Sequence, residues 1–415
     1  MNSTIIQLFI SLAWRNLWRN SRRTLISFSS IVVGVWSMII LASFMDAWAM
    51  SAFQASIDTL VGHGQIHAPA YLDDPTIDHS MAAPESRQRA LLNSQQISAW
   101  ASRVRVPAFI QSERENAPIT LVGIQPQAEK GLSFIADSIY QGEYFKDASS
   151  DGILLGRKLA RRLRTGLNKR LVILSQSEDG SIAERGFRVV GLFSVDQENT
   201  ETTYAFIGIK QAQALLHMGN DISEISFKLN ELNQLDTFIN QYRSLLNEMN
   251  VSRDIKSWDE LQPFVKAIQD MSAGTIALFT FIMFILIAFG LLNTLLMAVY
   301  ERSREFGLLQ ALGMKPAYLL LMILVESVFL MGLGVLLGYF TGILTLMSLS
   351  EGIDLGVLAE GAVMFGAGRV LYPQVDGLQS LWIAMFIWAM GILTSLYPAW
   401  RASREVPVEI INKAF

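Results

Sequence analysis

Four apolar runs, each long enough to cross a lipid bilayer, constrain this chain more than any other feature. A helix needs roughly 20 consecutive, mostly apolar residues to span the hydrocarbon core. Residues 25–48, 276–299, 318–346 and 381–400 reach that length. The second run carries no charge, and the third carries one charged side chain, Glu326. Residues 51–270 contain no such run, so they must form a domain in water. Composition agrees: 17% of the residues are charged and 51% hydrophobic, where soluble domains carry about 25% charged. The expected fold class is a membrane α-helical protein of four transmembrane helices. A large mixed α/β extracytoplasmic domain sits between spans 1 and 2.

Orientation follows from the basic residues, because Lys and Arg near span ends stay on the cytoplasmic side. Arg15, Arg19, Arg22 and Arg23 precede the first span; Arg302, Arg304 and Lys315 lie between the second and third. Arg401, Arg404 and Lys413 follow the fourth. The third-to-fourth connection instead has Glu351, Asp354, Glu360 and Asp376 against Arg369 alone. Both termini are therefore expected inside a bacterial inner membrane and the large domain outside, in the periplasm. Ser21-Arg22-Arg23 before an apolar run is similar to a twin-arginine signal. The run is span-length, however, so an uncleaved first span is expected. The expected layout is a cytoplasmic amphipathic helix at 1–23, spans at 24–50, 271–300, 317–348 and 380–400, and the outer domain at 51–270. The connecting segments are 301–316 (cytoplasmic), 349–379 (outside) and a cytoplasmic tail at 401–415.

Two cytoplasmic segments stand out. Gln7, Ser11, Arg15 and Arg19 recur every four residues and make a polar stripe, with Trp14 and Trp18 suited to the headgroup level. That is the pattern of a helix lying on the membrane; the alternative is an ordinary positive flank. Between the second and third spans, Glu301, Arg302, Arg304 and Glu305 are followed by Phe306, Leu308, Leu309 and Leu312. A helix would group these apolar residues, Gly313 would stop it and Pro316 would start the next. Such a face suits a partner's groove or the bilayer surface, and spacing alone does not decide between them.

Inside the third span, Gly334, Gly338 and Gly342 fall on one face and allow close helix packing. Either this chain's own spans or a second subunit would meet them. A carboxylate within a span is costly unless paired, so Glu326 marks a structural or gating contact.

The outer domain reads as strands at 104–110, 119–124, 152–155, 171–174, 187–193, 203–209 and 222–229. The first contains Pro107 and is expected at a sheet edge. Helices are expected at 158–164, 211–217 and 231–248, and 259–271 should lead as a helix straight into the second span. No catalytic constellation is found in the sequence. His63 and His67 lie four apart, but Gly62 and Gly64 argue against a helix and no adjacent glutamate supplies a base; no metal site is assigned. There is no cysteine, no Gly-x-Ser-x-Gly elbow and no phosphate-binding Gly-x-x-x-x-Gly-Lys-Ser/Thr loop. No basic tract supports nucleic-acid binding, and no cofactor is expected in this chain.

Taken together, the motifs resemble the FtsX-like, MacB-type permeases of ABC transporters, and most nearly the lipoprotein-releasing (LolC/LolE-like) branch. Leu12-Ala13-Trp14-Arg15-Asn16-Leu17 is similar to that family's entry helix, and Glu301 through Met314 to its coupling segment. Tyr397-Pro398-Ala399-Trp400-Arg401 is similar to its ending. The resemblance implies a non-enzymatic subunit working with a cytoplasmic ATPase dimer that binds ATP and magnesium. It also implies a second permease, identical or paralogous, and a periplasmic carrier or adaptor. The implied action is mechanotransmission that extracts a lipoprotein or other amphiphile from the inner membrane. The alternative from another class is a regulatory transmembrane lever acting on a cell-wall hydrolase or sensor, with nothing transported.

Overall fold

The computed structural model describes residues 18–195, 197–356 and 370–404, with Ser11, Trp14, Arg15, Gly361 and Gly368. Most of the amphipathic helix expected at 1–23 lies outside the described residues, as do Glu360, Arg369 and Lys413. Two compact units emerge. The long helices up to Ala49, over Gln269–Asp354 and from Val370 onward form one, and Met50–Ile268 make up most of the other.

The first apolar run is α1 (Ser21–Ser56), continued without a break by a π-helical turn, Ile57–Val61. A helix of 36 residues is roughly 54 Å long, well beyond the roughly 30 Å hydrocarbon core. Ten strands follow in one mixed sheet: β1 (Gly64–His67), β2 (Ile97–Gln111), β3 (Asn116–Ile124), β4 (Ile139–Gly142) and β5 (Gly152–Gly156). The rest are β6 (Arg170–Gln176), β7 (Ile182–Phe193), β8 (Tyr204–Gly208), β9 (Glu224–Leu229) and β10 (Asp254–Ser257). Their order is β10-β1-β9-β2-β3-β8-β5-β7-β4, with β6 bridging β2 and β7. Helices α2 (Arg157–Arg162), α3 (Ile209–Leu216) and α4 (Leu235–Met249) accompany it. Val104, Ile110, Leu121, Ile153, Phe227 and Phe238 lie in its buried core.

Two expectations need correction here. The strand containing Pro107 is central, not an edge. Its first half pairs with β9 and its last residues with β6, while β3 runs along the other side. Pro107 stands opposite Thr120 of β3 and falls in the interval between the β9 and β6 ladders, a break in pairing on one flank that can accommodate a residue without an N–H. Nor does the approach to the second span run straight from 259. A short helix, Trp258–Leu261, ends at Gln262, and α5 (Pro263–Glu301) begins afresh at the proline. Proline is tolerated in a first helical turn, where its N–H would be unpaired anyway.

The remaining elements are α6 (Ser303–Ala311), α7 (Pro316–Ser348), a small hairpin of β11 (Ile353–Asp354) and β12 (Val370–Leu371), and α8 (Gly377–Ser403). The Asp376 carboxylate caps α8 by accepting from the backbone N–H groups of Leu378 and Gln379, at 2.9 and 3.0 Å. Among the described residues, helices α1, α5, α7 and α8 are long and apolar enough to cross a membrane. Their shared core contains Val35, Met38, Leu291, Met331 and Ile387.

Candidate coupling site

The charged and apolar halves of segment 301–316 fold into a tight helical corner. At Arg302 the backbone leaves helical geometry, which ends α5 and lets α6 start at Ser303. Gly313, at φ +96°, closes α6, a left-handed conformation that favours glycine. Pro316 then opens α7.

The corner divides the apolar residues expected on one face. Phe306 is buried against Val299, Leu319, Ile323, Ala399 and Ala402, and Leu309 is half-buried beside them. Leu308 and Leu312 are 65% and 78% exposed. They are one helical turn apart, so they form a single outward apolar face. Glu301, Arg304 and Glu305 are exposed around it.

Arg302 is nearly buried and joins three elements. Its Nη1 donates to Glu326 Oε2 of α7 at 3.3 Å and its Nε to Glu305 Oε2 of α6 at 3.4 Å. Its guanidinium also lies 5.3 Å from the Phe306 ring centre. Glu326, which the sequence left without a partner, is thereby paired. Two further ion pairs tie the start of the first span to the same corner. Arg19 meets Glu305 at 2.9 Å, and Arg23 meets Glu301 at 2.9 Å. Of the remaining candidates, Trp14 packs edge-on against Trp18 and against Phe329 of α7, with centroids 6.1 and 6.3 Å apart. Arg15 is exposed.

The glycine face of α7 receives α1. A Cβ on Gly334 would stand 2.8 Å from Ile31, one on Gly338 2.8 Å from the Val32 carbonyl, and one on Gly342 3.2 Å from Ile39. The sequence did not reveal which helix fills the groove. It also missed hydroxyl contacts between spans, Ser27 with Thr294 and Trp36 Nε1 donating to Thr345 Oγ1 at 3.0 Å. Opposite charges on segments sharing one membrane side were the available signal for the Arg19 and Arg23 pairs.

The two histidines weighed for metal binding belong to the ten-stranded sheet and its edge. His63 Nδ1 accepts from the Leu229 backbone N–H at 3.0 Å. His67 stacks on Tyr71, with its Nε2 3.0 Å from Gln65 Oε1. Burial holds both below the ordinary histidine pKa.

Two family profiles match most of the chain. The FtsX-like permease C-terminal profile matches residues 277–407, and the MacB-like periplasmic core domain profile matches 24–245. Among characterised relatives, the lipoprotein-releasing system transmembrane protein LolE of Haemophilus influenzae is 23% identical over 399 residues, 92% of each chain. LolC of Xylella fastidiosa, named for the same system, is 23% identical over 416 residues, 95% of each. Among solved structures, the periplasmic region of MacB from Actinobacillus actinomycetemcomitans aligns with a TM-score of 0.35 at 14% identity, covering 50% of this chain and 94% of that one.

Proposed function

This chain belongs to the FtsX-like ABC-transporter permeases that carry a MacB-like periplasmic core domain, and we propose that it transmits the work of a separate cytoplasmic ATPase to its outer domain. It is a multi-pass inner-membrane protein. In this reading both termini and α6 face the cytoplasm and the sheet domain lies in the periplasm. The observation that carries the reading is the α6 corner. Leu308 and Leu312 form an exposed apolar face beside the buried anchor Phe306. A short rigid helix of that kind suits a groove on a partner.

Closure of an ATPase pair against α6 would push on Arg302 and its carboxylate partners. Through Glu326 the push reaches α7, and through Arg19–Glu305 and Arg23–Glu301 it reaches α1. ATP and magnesium belong to the partner, and this chain contributes no catalytic group. Two permease subunits, identical or paralogous, would flank the ATPase pair. The cargo we propose is a lipoprotein or similar amphiphile, taken from the outer leaflet and passed to a periplasmic carrier. Full-length similarity to LolE and LolC, both named for lipoprotein release, supports that choice.

The test is purification of the tagged protein in mild detergent from its native membrane. An ATPase subunit is expected to co-purify, and Leu308→Glu with Leu312→Glu is expected to reduce its recovery at least tenfold while insertion is retained. A docked apolar face tolerates charge poorly. Unchanged recovery of the ATPase would remove α6 as the docking element.

A further inference from the structure

The π-helical end of the first span is gripped by buried side chains from three neighbouring strands. A helix leaves its last carbonyls without intrahelical donors, and water normally satisfies them. Here protein groups do so instead. The Leu60 carbonyl accepts from Arg103 Nη1, from Gln65 Nε2 at 3.0 Å and from Ser226 Oγ at 3.3 Å. The Val61 carbonyl accepts from Ser226 Oγ at 3.0 Å. Arg103 is on β2, Gln65 on β1 and Ser226 on β9, which are adjacent in the order β1-β9-β2. Their registers coincide: Gln65 pairs with Ser226, and His67, Glu224 and Arg103 form the next row of the same face. Gly62 follows at φ +68°, where a Cβ would lie 2.6 Å from the Phe227 carbonyl, so the chain is pressed directly onto β9.

Arg103 is fully buried. Its Nε and Nη2 donate to the two Glu129 oxygens at 2.7 and 3.0 Å, and its Nη1 also reaches Glu224 Oε1 at 3.2 Å. Ser133 Oγ donates to Glu129 at 2.6 Å, and Arg105 lies 3.5 Å from Glu224. Two arginines and two glutamates balance, and Arg103 adds its charge at the negative pole of the helix. Burying Arg103, Glu129 and Glu224, with Arg105 half-buried beside them, is costly even when the charges are paired, a large outlay if capping one helix were the only return. The π-helical turn adds a second sign, since such turns are rare and gather at functional positions.

We propose that Arg103, Gln65 and Ser226 are positioning residues that clamp the end of the first span to the outer sheet, so that displacement of the span displaces the domain. The proposal rests on the mechanical reading above and names where the load passes. Arg103→Met would strand Glu129 and Glu224 and endanger folding. The informative variant is therefore Gln65→Met with Ser226→Ala, which leaves the ion cluster whole.

The full chain with its ATPase, reconstituted in nanodiscs, is spin-labelled at Ile182→Cys, an exposed site on β7 in a chain with no native cysteine. Spectra and hydrogen exchange are compared without nucleotide and after trapping with ATP and vanadate. In the double variant, exchange at residues 57–62 should quicken at least tenfold while β3 exchange stays unchanged. The nucleotide-driven spectral change should fall by at least half, with ATP hydrolysis retained. A full spectral change despite a loosened 57–62 segment overturns the clamp alone, and so does unaltered exchange there. A parent complex that shows no nucleotide-driven change overturns the clamp together with the mechanical reading.

Discussion

At the scale of single residues, Arg302 decides how the membrane tolerates Glu326. The carboxylate is the one charged side chain of α7 (Pro316–Ser348), and it is 12% exposed. Removing one member of a buried pair typically costs about 3–5 kcal/mol, because the other charge is left uncompensated. Arg302→Met should therefore lower the thermal midpoint of the detergent-solubilised protein by several degrees. The double variant Arg302→Met with Glu326→Leu should recover much of that loss, since an apolar pair carries no stranded charge. Equal midpoints for the single and double variants, at one fixed scan rate, would show that the pair is not coupled. The sequence flagged Glu326 as needing a partner, but it did not supply one. Arg302 is 24 positions away, and only the corner between α5 and α6 brings it near.

At the scale of elements, legibility followed how local the signal was. Span-length apolar runs and the Gly313–Pro316 stop and start depend on neighbouring residues, and they appear as α1, α5, α6, α7 and α8. Strand β1 was not read as a strand, because its four residues are defined by β9 and β10 on either side rather than by alternation. Pro107 misled for the opposite reason: proline normally marks an edge, but here it falls where the strand changes neighbour from β9 to β6 while β3 continues alongside. The outward face of α6 was legible only as a set. Folding sends Phe306 inward and leaves Leu308 and Leu312 outside. The glycine face of α7 gives a sharp element-scale prediction. Gly338→Val would drive side-chain atoms into the Val32 carbonyl and Val35 of α1, and overpacking of this kind costs roughly 1–3 kcal/mol. Gly290→Ala, where nothing lies within 4 Å, should be near neutral. Thermal unfolding of the two variants side by side checks it, and similar midpoints would mean that α1 and α7 do not pack through Gly338.

At the scale of the whole molecule, the chain has spans, a corner with an exposed apolar face, and a sheet domain, but among the described residues no cluster able to hold a metal. In the proposed reading, energy comes from a separate ATPase. The account assigns its entry to α6 and its delivery to the outer domain, whose sheet holds Leu60 and Val61 of the π-helical turn that continues α1. A regulatory lever with no cargo would use the same entry, so docking alone does not separate the two. The decisive measurement is ATP-driven release of lipidated protein from proteoliposomes containing this chain and its co-purifying partners. The account predicts that ATP moves lipidated passengers into the soluble fraction, and that Leu308→Glu with Leu312→Glu abolishes the release. Hydrolysis without any ATP-dependent release, in liposomes carrying the native membrane's lipoproteins, would contradict it.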